Sequence, residues 1–380
     1  METGRYIVTN SSGETVRAFV PHPLPPPPIE MDATLTQLLD EASRNIEKLE
    51  IASRMIPSQQ WLLYGFIRKE AVITSQIEGT QSTLIDLLSS DENQSENKDL
   101  EEVCNYIRAI DYAWIQINSK DGLPLSLRLI KETHKRLMKG TRGKNKSPGE
   151  FRTTQNWVGG TRPATAAFVP PPPKEMMECL DKFEKYLHDN SSVHPIINIA
   201  YIHVHFETIH PFLDGNGRIG RLLIALLLRT YGILNSPLLY LSLFFKKNQQ
   251  TYYQLLNKVR TEGAWIEWLK FFLEGVSFVA SDVVNASEKL QLLSNKNRQK
   301  VLKNPKATVT SLRLLEELPK KPIISLSQAV ELLDLTKPPG SKAINLLIEC
   351  GILKETTGKK KDRLYRYKDY LDILSEGTEL

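Results

Sequence analysis

The sequence has few cysteines and no long apolar run, and each shortage disfavours a class of protein. Its three cysteines, Cys104, Cys179 and Cys350, lie far apart and form no CxxC pair, so neither a disulfide framework nor a cysteine metal site is expected. The longest strongly apolar run, Leu222 to Leu228, is far shorter than the roughly 18–20 residues of a membrane span. The polar start METGRYIVTNSSG lacks the apolar stretch of a secretion signal. We therefore expect a cytoplasmic protein with no membrane contact.

The charge is modest in total but unevenly distributed. The 380 residues are 41% hydrophobic and 24% charged, as in an ordinary globular protein, and at about 100–200 residues per domain they predict two or three domains. The net charge is +5, yet between Lys296 and Lys368 there are 17 Lys and Arg against seven Asp and Glu, a local charge of +10. The rest of the chain is at −5. A basic C-terminal part on an otherwise acidic chain raises the question of nucleic-acid binding.

Helical periodicity dominates the chain. Apolar residues recur at a spacing of three to four from Leu35 to Leu49, and a second helical pattern ends near Gly79. Two segments interrupt this pattern. The run PHPLPPPP at 21–28 predicts a polyproline arm, and at about 152–172 two short β-like runs flank a Gly- and Pro-rich turn. The prediction is a mainly α protein with one β-hairpin inserted in its middle.

The C-terminal region, from about residue 305, is typical of a small separate unit. Two helical patterns, a turn at TKPPG, a third helix and a hairpin tipped by GKKKDR follow one another, which is the order of a winged helix-turn-helix. The segment 337–368 is therefore a candidate DNA surface. A role in protein contacts is an equal alternative. The polar residues placed to face a groove are Ser341, Lys342 and Asn345.

The stretch HPFLDGNGRIGR, His210 to Arg221, concentrates chemical groups that packing alone does not require. Pro211 disfavours helix at His210, which is therefore expected at a helix-to-loop corner. The sequence DGNG supplies a loop whose backbone N–H groups can converge on an anion, and the next helix points its positive end at that loop. Arg218 and Arg221 fall on one face of that helix's first turn, where two positive charges make sense beside a polyanion.

These groups together indicate a site for phosphoryl or nucleotidyl transfer. The helix end and the two guanidinium groups form a phosphate cradle, and Asp214 suits a Mg²⁺ ion shared with phosphate oxygens. His210 is placed to accept a proton from an attacking hydroxyl. A purely structural turn is the alternative for the motif taken alone. A calcium loop is disfavoured because Ile219 stands where such a loop has glycine, and a zinc site is disfavoured because His203 and His205 point to different faces of their helix.

The twelve residues resemble the signature of the Fic family, H-P-F-x-D/E-G-N-G-R-x-x-R, with every defining position filled. The resemblance extends over most of residues 1–294. It implies a Fic fold, a helical core with a β-hairpin flap, and the activity of a protein adenylyltransferase. Such an enzyme transfers AMP from ATP, with Mg²⁺, to a Ser, Thr or Tyr hydroxyl of a target protein and of itself. It also implies a homodimer and a flap at 152–172 that docks the target by main-chain hydrogen bonds.

The resemblance also assigns roles to single residues. His210 would be the general base, Asp214 the Mg²⁺ ligand, and Phe212 the residue that braces the loop. Asn216 and the backbone amides of Gly215 and Gly217 would hold the α- and β-phosphates. The remaining nucleotide contacts would be Arg218 to the phosphates, Arg221 to the γ-phosphate, and Asn248 and Tyr252 near adenine and ribose.

A second stretch, TSQIEGT at 74–80, is by itself an ordinary helix end closed by glycine. Beside the first motif it resembles the family's inhibitory pattern S/T-x-x-x-E-G/N, filled here by Thr74, Glu78 and Gly79. Glu78 would pair with Arg221 and occupy the guanidinium that the ATP γ-phosphate needs. The resemblance thus predicts a transferase that restrains itself.

The organisation that follows has four parts. Residues 1–100 form an N-terminal helical domain with the polyproline arm and the inhibitory helix, 101–275 the Fic core, 276–304 a linking helix, and 305–380 the winged-helix-like domain. Three other functions stay open: a DNA-binding regulator with a nucleotide-sensing core, transfer of UMP or phosphate in place of AMP, and removal of AMP.

Overall fold

The computed structural model describes residues 2–11, 13–55, 59–89, 97–140, 145–189, 193–358 and 362–380. As predicted, the fold is mainly helical. None of the helices in these ranges is long and apolar enough to cross a bilayer. The helices are α1 (Ala33–Met55), α2 (Gln59–Ile77), α3 (Leu84–Ser89), α4 (Lys98–Asn118), α5 (Leu127–Leu137), α6 (Pro173–Leu187), α7 (Pro195–Ile209), α8 (Asn216–Thr230), α9 (Ser242–Lys247), α10 (Gln249–Glu262), α11 (Trp265–Lys303), α12 (Val309–Glu317), α13 (Leu326–Leu333), α14 (Lys337–Glu349) and α15 (Lys368–Leu374).

Helix α7 lies at the centre of the core. Every residue from Ile196 to Ile209 is buried, and the sequence explains this because PIINIAYIHVHFETI is apolar on nearly all faces. Helix α8 packs on α7, while α10 and α11 cover another side of it. Helix α1 runs along α11, and α2 lies against α4 and α9. The six residues from His210 to Gly215, between α7 and α8, are thus held on a rigid base.

An N-terminal β-hairpin precedes the polyproline arm, and the sequence analysis assigned no strands to it. Strand β1 (Gly4–Ser11) pairs antiparallel with β2 (Glu14–Pro21), and Gly13 adopts φ +82° in the turn. The hairpin does not stand alone, because the Phe19 N–H donates to the Val169 carbonyl at 2.9 Å. The hairpin therefore packs against the flap segment at Val169.

The predicted hairpin at 152–172 is less regular than its sequence suggested. A single antiparallel bridge joins Val158 and Phe168, with N–H···O distances of 2.8 and 3.1 Å, in place of two strands. Gly159 and Gly160 both have positive φ and form the turn. Proline and the short 3-10 turn at Pro163–Thr165 interrupt further pairing. The flap is consequently a loop turned back on itself rather than a β-ribbon.

The C-terminal unit follows the long helix α11, which runs without a break across the expected boundary at residues 275 and 276. Strands β3 (Ile323–Ser325), β4 (Lys354–Glu355) and β5 (Leu364–Arg366) form an antiparallel sheet in the order β3-β5-β4. Capping boxes at Thr308 and Ser325 start α12 and α13. The element order is the one expected for a winged helix, an assignment that stays a prediction.

Candidate active site

His210 lies at the corner where α7 ends. Its backbone is left-handed, with φ 50° and ψ 60°, and its N–H donates to the Phe206 carbonyl at 3.0 Å. A left-handed conformation is unusual for histidine and is held here by its surroundings. The buried Arg152 side chain donates from Nε to the His210 carbonyl at 2.9 Å and from Nη2 to the Pro171 carbonyl at 2.6 Å. Arg152 thus ties the corner to the end of the flap.

The protonation state of His210 follows from its environment. Burial, and then the positive charge of Arg152, lower the pKa of His210 to about 4, although nearby Glu78 acts in the opposite direction. The imidazole is therefore neutral at pH 7. A neutral ring can accept a proton, as a general base must.

The loop that follows His210 is shorter than the DGNG pattern suggested. Gly215 adopts φ +79° in the turn, but α8 already begins at Asn216, so Gly217 is helical. The Asn216 side chain accepts from the Phe212 N–H at 2.9 Å and donates to the Phe212 carbonyl at 2.8 Å. That amide therefore braces the loop. An anion at this helix end would meet the backbone N–H groups of the first turn, which have no partner within the helix.

His134 on α5 is a supporting residue that the sequence analysis did not single out. Its Nδ1 accepts from the Gly149 N–H and its Nε2 bonds to the Asp214 carbonyl, both at 2.9 Å, so the proton is on Nε2. Its ring stacks on Phe212 with centroids 3.7 Å apart and an interplanar angle of 7°. Burial lowers the pKa of His134 to about 4, which keeps this neutral form at pH 7. His134 therefore holds the loop that carries Asp214.

Arg218 and Asp214 face a cavity of about 190 Å³. The buried Arg218 guanidinium lies 3.4 Å from the Glu102 carboxylate and 3.7 Å from Asp214 Oδ1, and 46% of the Asp214 side chain is exposed. Sequence reasoning missed Glu102, which stands on α4. In the ranges that the structure describes, no three His, Cys, Asp or Glu side chains converge as a metal cage. Mg²⁺ does not need such a cage, because one carboxylate and the phosphates of the substrate can supply its ligands. Asp214 therefore fits the ion.

Arg221 is held by the end of α2. Its Nη2 lies 2.6 Å from Glu78 Oε1, and its Nε donates to Thr74 Oγ1 at 2.8 Å. Thr74 lies in the last turn of α2 and Glu78 directly follows the last helical residue, and both side chains reach Arg221. A Cβ on Gly217 would lie 2.5 Å from Glu78 Oε1, which means that glycine there allows the carboxylate to approach α8 closely. The two motifs from distant parts of the sequence are thereby brought together.

The electrostatics of this ion pair favour both charges. Burial alone would raise the pKa of Glu78, but the charge and hydrogen bond of Arg221 outweigh it and hold that pKa below its usual range. Burial opposes the charge on Arg221 as well, and Glu78 raises the pKa of that guanidinium. With only 2% of the Arg221 side chain exposed, a carboxylate or another anion is needed there.

Asn248 and Tyr252, the two residues expected near adenine and ribose, differ from each other in their surroundings. Asn248 lies between α9 and α10, and its Nδ2 donates to the Phe244 carbonyl at 3.0 Å. Tyr252 is buried, with its hydroxyl 2.9 Å from Nε2 of a core histidine, His203. The structure does not place Tyr252 on the cavity that Asp214 lines. Its neighbour Tyr253 is 45% exposed.

A buried acid also lies near Arg221. Glu70 on α2 accepts from Ser242 Oγ at 2.5 Å and from the Tyr106 hydroxyl at 3.2 Å. Burial raises the pKa of Glu70 from 4.5 to about 8, although the Ser242 hydrogen bond and the charge of Arg221 act in the opposite direction. Glu70 is therefore mostly protonated in the folded protein at neutral pH.

A pH dependence of stability follows from Glu70. Because its folded pKa exceeds its unfolded pKa, the folded protein binds more protons between about pH 4.5 and 8, and stability falls as pH rises through that window. We expect the free energy of unfolding of Glu70→Gln to decrease by about 1–4 kcal/mol less than that of the wild type over this pH window. Urea unfolding at both ends of the window measures it, with Glu47→Gln at an exposed site as the control. An unchanged pH slope in Glu70→Gln would contradict the assignment.

The fold and the site together define a helical protein whose site is built for an anion at a helix N-terminus beside a neutral histidine. Comparison with known sequences is consistent with this class. The Fic/DOC family model matches residues 124–228, and the Fic/DOC family N-terminal model matches residues 36–114. Residues 124–228 therefore carry a Fic/DOC domain, preceded at residues 36–114 by the N-terminal part that accompanies it in this family.

The chain is similar to one group of curated proteins and to several solved structures. It is 32% identical over 207 residues to the protein adenylyltransferase Fic of Drosophila persimilis, a match that covers 52% of this chain but only 37% of that relative. A Fic family protein from Desulfovibrio desulfuricans G20 has a TM-score of 0.59 at 19% identity, covering 90% of this chain and 98% of the other. Fic-1 from C. elegans (residues 134–508) has a TM-score of 0.50 at 22% identity, covering 67% and 73%. At these identities the two structures show the fold alone.

Proposed function

We propose that this chain is a protein adenylyltransferase, which transfers AMP from ATP to a Ser, Thr or Tyr hydroxyl of a target protein and of itself. The observation that carries the proposal is the position of His210 at the corner before α8, whose first two turns carry the buried Arg218 and Arg221. A general base, an anion-binding helix end and guanidinium groups are the parts that attack on a phosphate requires. The curated relatives named protein adenylyltransferase Fic support the same reaction.

The proposed reaction uses these parts in one sequence. A target segment docks along the flap at 152–172, where main-chain groups near the Val158–Phe168 bridge can pair with an extended peptide. His210 accepts the proton of the target hydroxyl as its oxygen forms a bond to the α-phosphorus. The bond from that phosphorus to the bridging oxygen breaks, and pyrophosphate leaves. Arg218 and the first-turn amides of α8, including those of Asn216 and Gly217, stabilise the charge on the phosphates.

Asp214 is the residue that would hold Mg²⁺. When bound, the ion would neutralise charge on the phosphates. The chain's own contribution is the position of the carboxylate, because His134 and Phe212 restrain the loop that bears it.

In the resting state, Glu78 is proposed to restrain the reaction. One guanidinium cannot hold the Glu78 carboxylate and the γ-phosphate in the same productive pose. The 2.6 Å contact between Arg221 and Glu78, and the close approach of Gly217, support this competition. Thr74 shares Arg221 with Glu78, and Gly79 turns the chain away after α2 with φ +97°.

The test is incubation of the purified chain with each labelled nucleoside triphosphate and Mg²⁺, followed by mass spectrometry of the modified residue. AMP on a hydroxyl supports the proposal. UMP on that residue would change the group transferred, and phosphate would change the reaction class. Loss of AMP from a pre-modified protein, with water as the acceptor, would support removal of AMP, in which the Glu78 carboxylate would take part.

A second function, DNA binding by the C-terminal unit, is supported by helix α14. Lys337, Lys342 and Asn345 are exposed on it, and Ser341 is partly exposed. The lysines at 359–361 of the expected wing tip lie outside the described residues. Within the domain division proposed from the sequence, residues 305–380 would then be the DNA-binding part and 101–275 the catalytic part. A protein ligand for the same face is the competing assignment.

A mobility shift on arbitrary duplex DNA tests this second function. We expect affinity to fall about tenfold or more between about 50 and 200 mM salt, because phosphate contacts release counterions. Lys342→Glu should weaken binding at low salt, whereas Lys185→Glu, an exposed lysine on α6, should not. Absence of binding, or binding insensitive to salt, would contradict a DNA role.

A further inference from the structure

The end of α2 has a second face, opposite the one that holds Arg221. Successive residues of an α-helix are about 100° apart, so Gln76 points roughly 200° away from Thr74, which holds Arg221. This opposite side is not left to solvent. Gln76 is partly buried, its Nε2 donates to the Thr378 carbonyl at 2.9 Å, and its Oε1 accepts from Lys246 Nζ at 2.7 Å. Gln76 therefore connects the end of α2 to α9 and to the 375–380 segment.

The 375–380 segment is fitted to this place. After α15, the Thr378 N–H and hydroxyl both donate to the Ser375 carbonyl, at 2.9 and 2.8 Å, forming a tight turn with Thr378 buried. Gly377 has φ +85°, and a Cβ on it would lie 2.6 Å from Leu243 on α9. Lys246 also donates to the Glu379 carbonyl. The turn at residues 375–378 thus packs on α9, and its Thr378 carbonyl accepts the hydrogen bond from Gln76 on α2.

The helix before this segment packs on α2 as well. Gly65 lies where α15 crosses α2, and a Cβ there would come within 2.9 Å of both Leu374 methyl groups and 3.3 Å from the Tyr370 hydroxyl. The C-terminal unit therefore contacts α2 in its N-terminal half, through Gly65, and at its end, through Gln76. Both contacts lie on the helix that carries Thr74 and directly precedes Glu78.

We propose that the 375–380 segment is a clamp that holds the end of α2 in its inhibitory position, so that the C-terminal unit controls the strength of inhibition. This inference rests on the proposed function of Glu78. Arg221 is held by the hydroxyl and carbonyl of Thr74 as well as by Glu78, so its full release requires movement of the end of α2 and not only rotation of the Glu78 side chain. Such a movement strains the bonds of Gln76 to Lys246 and Thr378. The clamp and the Glu78–Arg221 pair stabilise the same arrangement and are therefore coupled.

Deletion of residues 376–380 in the full chain tests the clamp. We expect auto-AMP transfer to rise about 2- to 10-fold, because the hydrogen bond from Gln76 to the Thr378 carbonyl is lost, while the bond from Lys246 to Gln76 stays. Gln76→Met, which keeps the length of the side chain, should also raise the rate. Asp372→Ala, on the exposed face of α15, should leave it unchanged. In a Glu78→Gly background the deletion should add no increase, because the inhibitory contact is already absent.

Hydrogen exchange separates failure of the clamp from failure of the proposed function. The amides of Glu78, Gly79 and Thr80 bond to carbonyls of Ser75 and Gln76, so they report on the end of α2 without any need for activity. Both clamp variants should exchange them faster. If Glu78→Gly raises AMP transfer but neither clamp variant does, the clamp is overturned and the function stands. If Glu78→Gly gives no AMP transfer, the function fails, and unchanged exchange at these amides would overturn the clamp independently.

Discussion

Replacing His210 by alanine is expected to lower AMP transfer by about 10²- to 10⁴-fold, the contribution typical of a general base. The reason is that the imidazole is neutral at pH 7 and lies at the corner beside the anion-binding helix end, where it can take the proton of the attacking hydroxyl. Label transfer from α-labelled ATP to the chain measures the effect. A variant that kept more than about a tenth of the activity would place the base elsewhere.

The backbone at His210 provides a matched control. With φ at 50°, alanine is strained there, whereas asparagine adopts left-handed conformations more readily. We therefore expect His210→Asn to retain more stability than His210→Ala but to be equally inactive. If His210→Asn recovered activity, the loss in alanine would come from the disturbed corner and not from the missing base.

Replacing Glu78 by glycine is expected to raise auto-AMP transfer by about 10- to 100-fold. The change removes the carboxylate 2.6 Å from Arg221 and frees the guanidinium for the γ-phosphate. Initial rates of label transfer at saturating and limiting ATP measure the gain. An unchanged rate would show that Glu78 does not restrain the enzyme.

Two variants sharpen the Glu78 experiment. Glu78→Gln keeps the size of the side chain and loses its charge, so its rate should lie between those of the wild type and Glu78→Gly. The double variant Glu78→Gly, His210→Ala should be inactive, because a freed Arg221 does not replace the base. Activity in the double variant would mean that the gain in Glu78→Gly comes from another route.

The sequence predicted the helical elements and the family because both depend on local patterns. The apolar spacing from Leu35 to Leu49 lies within α1, and the second pattern, expected to end near Gly79, corresponds to α2, which ends at Ile77. The twelve-residue motif located His210, Asp214 and Arg221 because glycine, proline and charge follow one another there at short range. Family resemblance, and not spacing, linked Glu78 to Arg221 across more than 140 positions.

The supporting residues were not predictable because tertiary contacts alone give them meaning. His134 and Glu102 lie on ordinary amphipathic helices, and nothing in their local sequence marks a bond to Asp214 or Arg218. Arg152 follows a turn, where an exposed side chain would be the usual expectation, yet it is buried beneath His210. Each becomes visible only when elements from distant parts of the chain are brought together.

The errors also have local causes. The alternation in RYIVTN and TVRAFV, joined by a short turn containing Gly13, was a signal for the N-terminal hairpin that the neighbouring prolines obscured. The nucleotide role expected for Tyr252 stays a prediction, since only the packing of α10 decides that Tyr252 faces the core and Tyr253 the surface.

The central claim is that the site transfers the nucleotidyl group and that Glu78 restrains this transfer through Arg221. The most direct measurement compares ATP labelled on the α-phosphate with ATP labelled on the γ-phosphate, using the wild type and Glu78→Gly. The account predicts α-label on both proteins, more on Glu78→Gly, with the γ-label released as pyrophosphate. Label from the γ-phosphate on the protein, or equal α-label on wild type and Glu78→Gly, would contradict it.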